Sequence, residues 1–196
     1  MVGRPREFDV DQALDAAMRA FWAKGYEATS LADLMAVTGL HKGSLYQTFG
    51  DKHSLFIRAL KRYLEDMRRQ KNEVLRAAPT PLDGIRNTLH RIVDIADGDS
   101  DCPMGCLAIN SLVELAPHDA EVRVVMADHA KRMRKSLEAT VSDAQAAGQI
   151  DTARPAELIA AMLMTFMAGL GTMMRGDLKK AQAHVLLDAQ LQALRQ

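Results

Sequence analysis

Cysteine is scarce in this chain of 196 residues: Cys102 and Cys106 are the only two, too few for the disulfide framework of a small secreted fold. Net charge is absent, with 25 Lys and Arg against 25 Asp and Glu, so the overall balance names no partner. Strand signals are missing: there is no period-2 alternation, no Asn-Gly turn and no cluster of β-branched residues. A long apolar run is missing too. The most apolar stretch, Leu158 to Met174, is broken by Thr165, Thr172 and several small residues, too short and too interrupted for a membrane span to be expected. The start, MVGRPREFDVD, shows no apolar signal segment,. No Gly-rich cofactor loop or paired-acid motif occurs, and two thiols with distant histidines make a poor zinc pattern. A soluble, cytoplasmic, all-α protein is expected, with no catalytic centre, no cofactor, no metal and no membrane partner.

What is present is divided unevenly. Apolar residues make up 48% of the chain, enough for a real core. The aromatics are five Phe, three Tyr and one Trp, and all but Phe166 lie between Phe8 and Tyr63. Most of the 12 Met lie beyond them. Rigid rings in one part and flexible thioethers in the other predict a small stiff head and a larger adaptable body.

Helix signals run throughout. Asp9 is a good N-cap for a first helix whose Val10, Leu14, Ala17 and Phe21 share one face,. Gly25 ends it. Ser30 caps a short second helix, with Asp33 placed to complete a capping box,. Thr38-Gly39-Leu40 ends that helix, a third runs from about His41 to Phe49, and a long fourth runs from about 51 to 77, capped by Asp51. Pro79 and Pro81 follow. Further helices are expected over Leu82–Ala96, Gly105–Ala116, Asp119–Ala147, Pro155–Arg175 and Leu178–Arg195, with a polar loop at Gly98–Pro103,. That makes about nine helices: a three-helix head over residues 1–52, linked by the fourth helix to a body over residues 53–196.

The second and third helices carry the sharpest pattern. A tight turn at Gly39 would hold the third helix against the second. His41, Lys42, Gly43, Ser44, Tyr46 and Gln47 would then lie on an outer face able to reach base edges or phosphates. Ser30 and Lys52 open the neighbouring helices, where free N–H groups and positive charge suit phosphate. On spacing alone, a DNA-reading helix-turn-helix and a plain helical hairpin with solvated lysines both stand.

The run from Thr29-Ser30-Leu31-Ala32-Asp33-Leu34-Met35 through Gly39-Leu40-His41-Lys42-Gly43-Ser44-Leu45-Tyr46-Gln47-Thr48-Phe49-Gly50-Asp51-Lys52 resembles the signature of the TetR/AcrR family. The preceding Phe21-Trp22-Ala23-Lys24-Gly25-Tyr26 is similar as well. The resemblance implies a helix-turn-helix regulator that binds a palindromic double-stranded operator as a homodimer and answers to a small-molecule effector, most often as a repressor. It makes Thr29, Ser30, Lys42, Gly43, Ser44, Tyr46 and Lys52 DNA-facing, with His41 and Gln47 setting sequence preference. Gly3-Arg4-Pro5-Arg6 resembles the basic arm of many members, for which a disordered start is the alternative.

The body is expected to supply a dimer seam along its last two helices, through Ala161, Met164, Ala168, Gly169, Leu187 and Leu191. It is also expected to hold a ligand chamber, with Met104, Cys106, Leu107, Met126, Met133, Met162 and Phe166 as apolar walls and Asn110 and His129 as polar anchors. His90 and Glu114 are further polar candidates. Cys102-Pro103-Met104-Gly105-Cys106 precedes an expected helix, a position that favours thiolate. The stretch from Gly105 to Asp119 is similar to a NemR-like subgroup in which some members sense electrophiles through cysteine. Cys106, with Cys102, is thus either a reactive sensor or, for Cys106, a buried structural thiol.

Overall fold

A computed structural model describes residues 8–97 and 105–195. Among the described residues there are nine helices and no strand. The Asp9 carboxylate accepts from the N–H groups of Asp11 and Gln12 and opens α1 (Val10–Lys24). Ser30 and Asp33 form the full capping box of α2 (Leu31–Thr38). Gly39 follows in the left-handed region, at φ +68°. His41 caps α3 (Lys42–Phe49) and Asp51 caps α4 (Lys52–Ala77). The body comprises α5 (Pro81–Asp97), α6 (Leu107–Glu114), α7 (Ala120–Ala146), α8 (Ala156–Met174) and α9 (Lys180–Gln192). Observed ends lie within three residues of those expected, with α9 and α6 the most shortened, as helix ends commonly fray.

One apolar cluster joins the head to α6 and the start of α7. It contains Phe21, Leu34, Leu45, Phe56 and Leu60, and runs on to Cys106, Leu107, Leu115 and Met126. A second lies between α5, α8 and α9, around Ile85, Leu163 and Leu187. Helix α4 belongs to both halves: it packs on α1 and α3 and also on α5, α6 and α7.

Helix α8 is 19 residues long with mean hydropathy 1.5, so length and composition alone would let it cross a membrane. Here Ile159, Ala160, Leu163, Met167 and Leu170 are buried. The opposite face leaves Leu158, Met162, Thr165, Gly169 and Met173 exposed.

Candidate DNA-reading head and ligand chamber

Helix α3 shows one apolar side and one polar side. Leu45 and Phe49 are buried and Leu40 fills the corner of the turn. His41, Lys42, Gly43, Tyr46 and Gln47 are exposed, and Ser44 is half-buried. His41 spends its ring on the helix: Nδ1 accepts the Ser44 N–H at 3.1 Å, and Nε2 lies 3.0 Å from Ser44 Oγ. In the neutral ring this network puts the proton on Nε2, which donates to the hydroxyl. Lys42 lies over the Tyr46 ring, 5.7 Å from its centroid. Lys52 lies over Tyr26 at 4.4 Å, with its Nζ 3.4 Å from the Glu27 carbonyl. Among the described residues neither lysine pairs with a carboxylate, so both charges are available to an outside anion.

Thr29 is corrected. It is fully buried, and its hydroxyl donates to the Gly25 carbonyl at 2.6 Å. A threonine with no exposed surface cannot touch a duplex; it stitches the α1–α2 turn. Ser30 is exposed, but its hydroxyl is held in the capping box, 2.7 Å from Asp33 Oδ2. The Lys24 hydrogen bond, followed by that of Ser30, keeps the Asp33 carboxyl far below its ordinary range, so the box stays charged and closed.

The body encloses a cavity of about 190 Å³ between α4, α5, α6, α7 and α8. Of the residues named for such a chamber, Cys106, Met126, His129 and Met133 line it. The other wall candidates lie elsewhere. Leu107 is buried on the head side, Met162 is exposed on the outer face of α8, and Phe166 packs against the second cluster. Asn110 borders a separate surface cleft with Lys24 and Arg175. Met104, Cys102 and the Arg4–Arg6 arm lie outside the described residues. His90 is not in the chamber either. It meets His184 of α9 through facing Nδ1 atoms, and the two rings reach Asp188 and Asp94 at 3.0 and 3.1 Å. Residues that sequence reasoning missed include Lys71, Leu75, Thr88, Ser136 and Met164. The available signal was the spacing Met67–Lys71–Leu75, which puts a lysine on an otherwise apolar stripe of α4.

The seam candidates need a change of register. Leu187 and Leu191 are 0% and 1% exposed, inside their own protomer's core. Met164 and Ala168 turn toward the chamber, and Ala161 is half-buried. Of the six, only Gly169 is exposed, and it lies on the outer face of α8. On α9 the exposed apolar positions are Ala181, Val185, Leu186 and Ala189.

Head and body are tied by contacts far apart in sequence. The Glu114 carboxylate, at the end of α6, accepts the Tyr26 and Glu27 N–H groups at 3.2 and 2.9 Å. A side chain at Gly25 would put its Cβ 2.9 Å from that carboxylate and push it from its place on the turn, besides being strained at the local φ of +84°. The Trp22 indole N–H donates to the Gly105 carbonyl at 3.1 Å. His53, in the first turn of α4, meets Asp119 at the start of α7 at 2.6 Å. Tyr63 donates to Cys106 Sγ at 3.5 Å; burial, with Cys106 adding to it, pushes the Tyr63 pKa well above its ordinary value and keeps that hydroxyl protonated.

A short capped helix with an open polar face, carried on a hollow helical body, defines a helix-turn-helix transcription regulator. Comparison with known proteins agrees. Residues 13–59 match the family described as bacterial regulatory proteins, tetR family, and residues 81–189 match the tetracyclin repressor-like C-terminal domain. The chain belongs to the TetR family. It is 32% identical to the HTH-type transcriptional repressor ComR of Escherichia coli (strain K12) over 148 residues, which is 76% of this chain and 70% of ComR. It is 38% identical to the HTH-type transcriptional regulator YezE of Bacillus subtilis (strain 168) over 70% of this chain and 68% of YezE. A cysteine-substituted form of the TetR family regulator CifR, solved with a 26-base-pair double-strand operator DNA, superposes with a TM-score of 0.85 at 29% identity, covering 98% of this chain and 100% of that one.

Proposed function

We propose that this protein is a cytoplasmic, ligand-responsive repressor that binds a palindromic operator as a homodimer and leaves it when a small molecule enters the chamber. The observation that carries the reading is the position of α6. Cys106, Ala108, Ile109 and Leu112 on and before this helix line the chamber, while Glu114 at its end holds the backbone of the α1–α2 turn. Helix α4 supplies a second link, with Lys52 near the DNA-facing surface and Met67, Lys71 and Leu75 in the chamber wall. A ligand that displaces either helix changes the pose of the head. Coupling of about 1–3 kcal/mol suffices for ordinary allostery.

Two heads are needed because one short helix makes few base contacts, and a twofold axis sets them on successive major grooves roughly 34–36 Å apart. The outer face of α8 and the exposed residues of α9 supply a surface for this, and an unpartnered apolar face on a soluble protein calls for a cover. The name of ComR supports the repressor sense. A second reading rests on Cys106, which heads α6, lines the chamber and accepts from Tyr63; it follows the resemblance to the NemR-like subgroup and makes the effector an electrophile.

Selection of bound sequences from a random DNA pool, followed by a compound screen for release, tests the main reading. Recovery of no inverted repeat, or a monomer that binds as well as a dimer, overturns it. Release by electrophiles that persists undiminished in Cys106→Ser overturns the second.

A further inference from the structure

The chamber wall is apolar except at one corner. There Lys71 of α4 meets Ser136 of α7, its ammonium donating to the hydroxyl at 2.7 Å. His129, two helical turns before Ser136, lines the same cavity. Thr88 of α5 lines it too; it is 8% exposed, and its hydroxyl has no hydrogen-bond partner. Lys71 and Thr88 also border, with Met133, a second small gap.

No carboxylate among the described residues pairs with Lys71, although its ammonium has three protons to donate. Burial pushes the Lys71 pKa down, and the charge of Arg68 adds to this. Burial and then Lys71 itself push His129 below its ordinary value, against a smaller opposing pull from Asp128. Half-buried positive charge without a counter-ion is unfavourable and wants an anion.

On the reading that the chamber is the effector site, we infer that the effector is a small monocarboxylate with an apolar body, its anion held by Lys71. The single ammonium and the otherwise apolar wall suit one negative charge. A phosphate ester would call for the multiple donors that such groups usually receive. The size is set by the void: about 190 Å³ is a little more than the roughly 150 Å³ that accommodates benzene in an apolar cavity. One ring or a short chain fits.

The test compares three probes on the full-length protein by calorimetry: phenylacetate, its neutral isostere phenylacetamide, and ethylbenzene. Phenylacetate is expected to bind at least about tenfold more tightly than the amide. Lys71→Met is expected to bring that ratio near one, and Lys71→Arg to keep it above one. The wild-type ratio tests the inference even if a variant fails to fold. Equal binding of acid and amide, or an acid preference that survives Lys71→Met, overturns the carboxylate inference. If ethylbenzene alone binds and releases operator DNA, the chamber reading stands and the inference falls. If no probe binds, both fall.

Discussion

In the head, Phe21 meets Phe56 edge-on at 5.1 Å and Trp22 meets Tyr63 at 4.9 Å. In the body, Met126, Met133 and Met167 surround a void. The difference extends to the helix ends. Asp9, Ser30, His41 and Asp51 cap the four helices that begin in the head; in the body Asp119 caps α7 in the same way, but α6 and α8, which border the chamber, begin at Cys106 and Pro155 with no side-chain cap. Interlocked rings and closed caps hold one geometry. Thioether walls and open helix starts permit several. A reader of DNA gains from the first and a sensor from the second.

Truncating one wall in each region gives the widest contrast. Phe21→Ala removes a fully buried ring from the head core and is expected to cost about 3–5 kcal/mol of stability, with loss of operator binding. Met133→Ala trims a half-buried side chain beside an existing void and is expected to cost less than about 2 kcal/mol. Denaturant midpoints measure both. Equal costs would mean that the body is packed as tightly as the head.

Next come the two kinds of head contact. Gln47→Ala is expected to reduce discrimination among operators by about 1–3 kcal/mol if the amide reads a base in bidentate fashion. Lys52→Ala is expected to weaken binding to all sequences and to lower the log–log salt slope by about 1. Binding titrations at several salt concentrations, on operator and random DNA, separate them. Equal loss on both DNAs for Gln47→Ala would remove it from base reading.

Between the regions, Glu114→Gln keeps the size of the side chain but removes its charge and one of its two acceptors, since each carboxylate oxygen takes a backbone N–H. About 1 kcal/mol of stability is expected to go, since charge-assisted bonds exceed neutral ones but this carboxylate is only half-buried. The more telling quantity is the ratio of operator affinities with and without a releasing ligand. That ratio is expected to shrink toward one in the variant. An unchanged ratio would leave α4 as the carrier of the signal.

The parts of this molecule legible in its sequence are those set by neighbours along the chain. Asp9, Ser30, Asp51 and Asp119 cap helices through N–H groups two or three residues away, so spacing alone locates them. The outer face of α3 follows from the inward pair Leu45 and Phe49. What stayed hidden depends on distant partners. Glu114 looks like a chamber acid until the Tyr26 backbone, 88 residues earlier, takes its carboxylate. Leu187 and Leu191 look like a seam because a leucine stripe does not say whether it faces its own core or a second copy; burial against α5 decides. Thr29 stands in the motif with polar residues that are exposed or half-buried, such as Ser30, Lys42 and Ser44, but it is buried, with its hydroxyl on the Gly25 carbonyl.

The smallest expected effect concerns acid at the junction. The Val122 N–H holds the Asp119 carboxyl below its ordinary range; burial opposes this, and the His53 hydrogen bond reinforces it. A carboxyl with a depressed folded-state pKa stabilises the fold above its unfolded value, about 3.9 for aspartate. That contribution is lost as pH falls through the lower folded value. The α4–α7 contact is therefore expected to hold at neutral pH and to loosen below about pH 4. Trp22 is the only tryptophan, and its indole donates across the same junction, so its fluorescence reports on that boundary. Asp119→Asn can still cap α7 but carries no charge. The stability gap between wild type and variant, read by Trp22 in denaturant, is expected to be largest at pH 7 and to close toward pH 3. A gap constant over that range would show that the carboxylate's charge contributes nothing there, and the junction would then rest on packing alone, like the interior of the head.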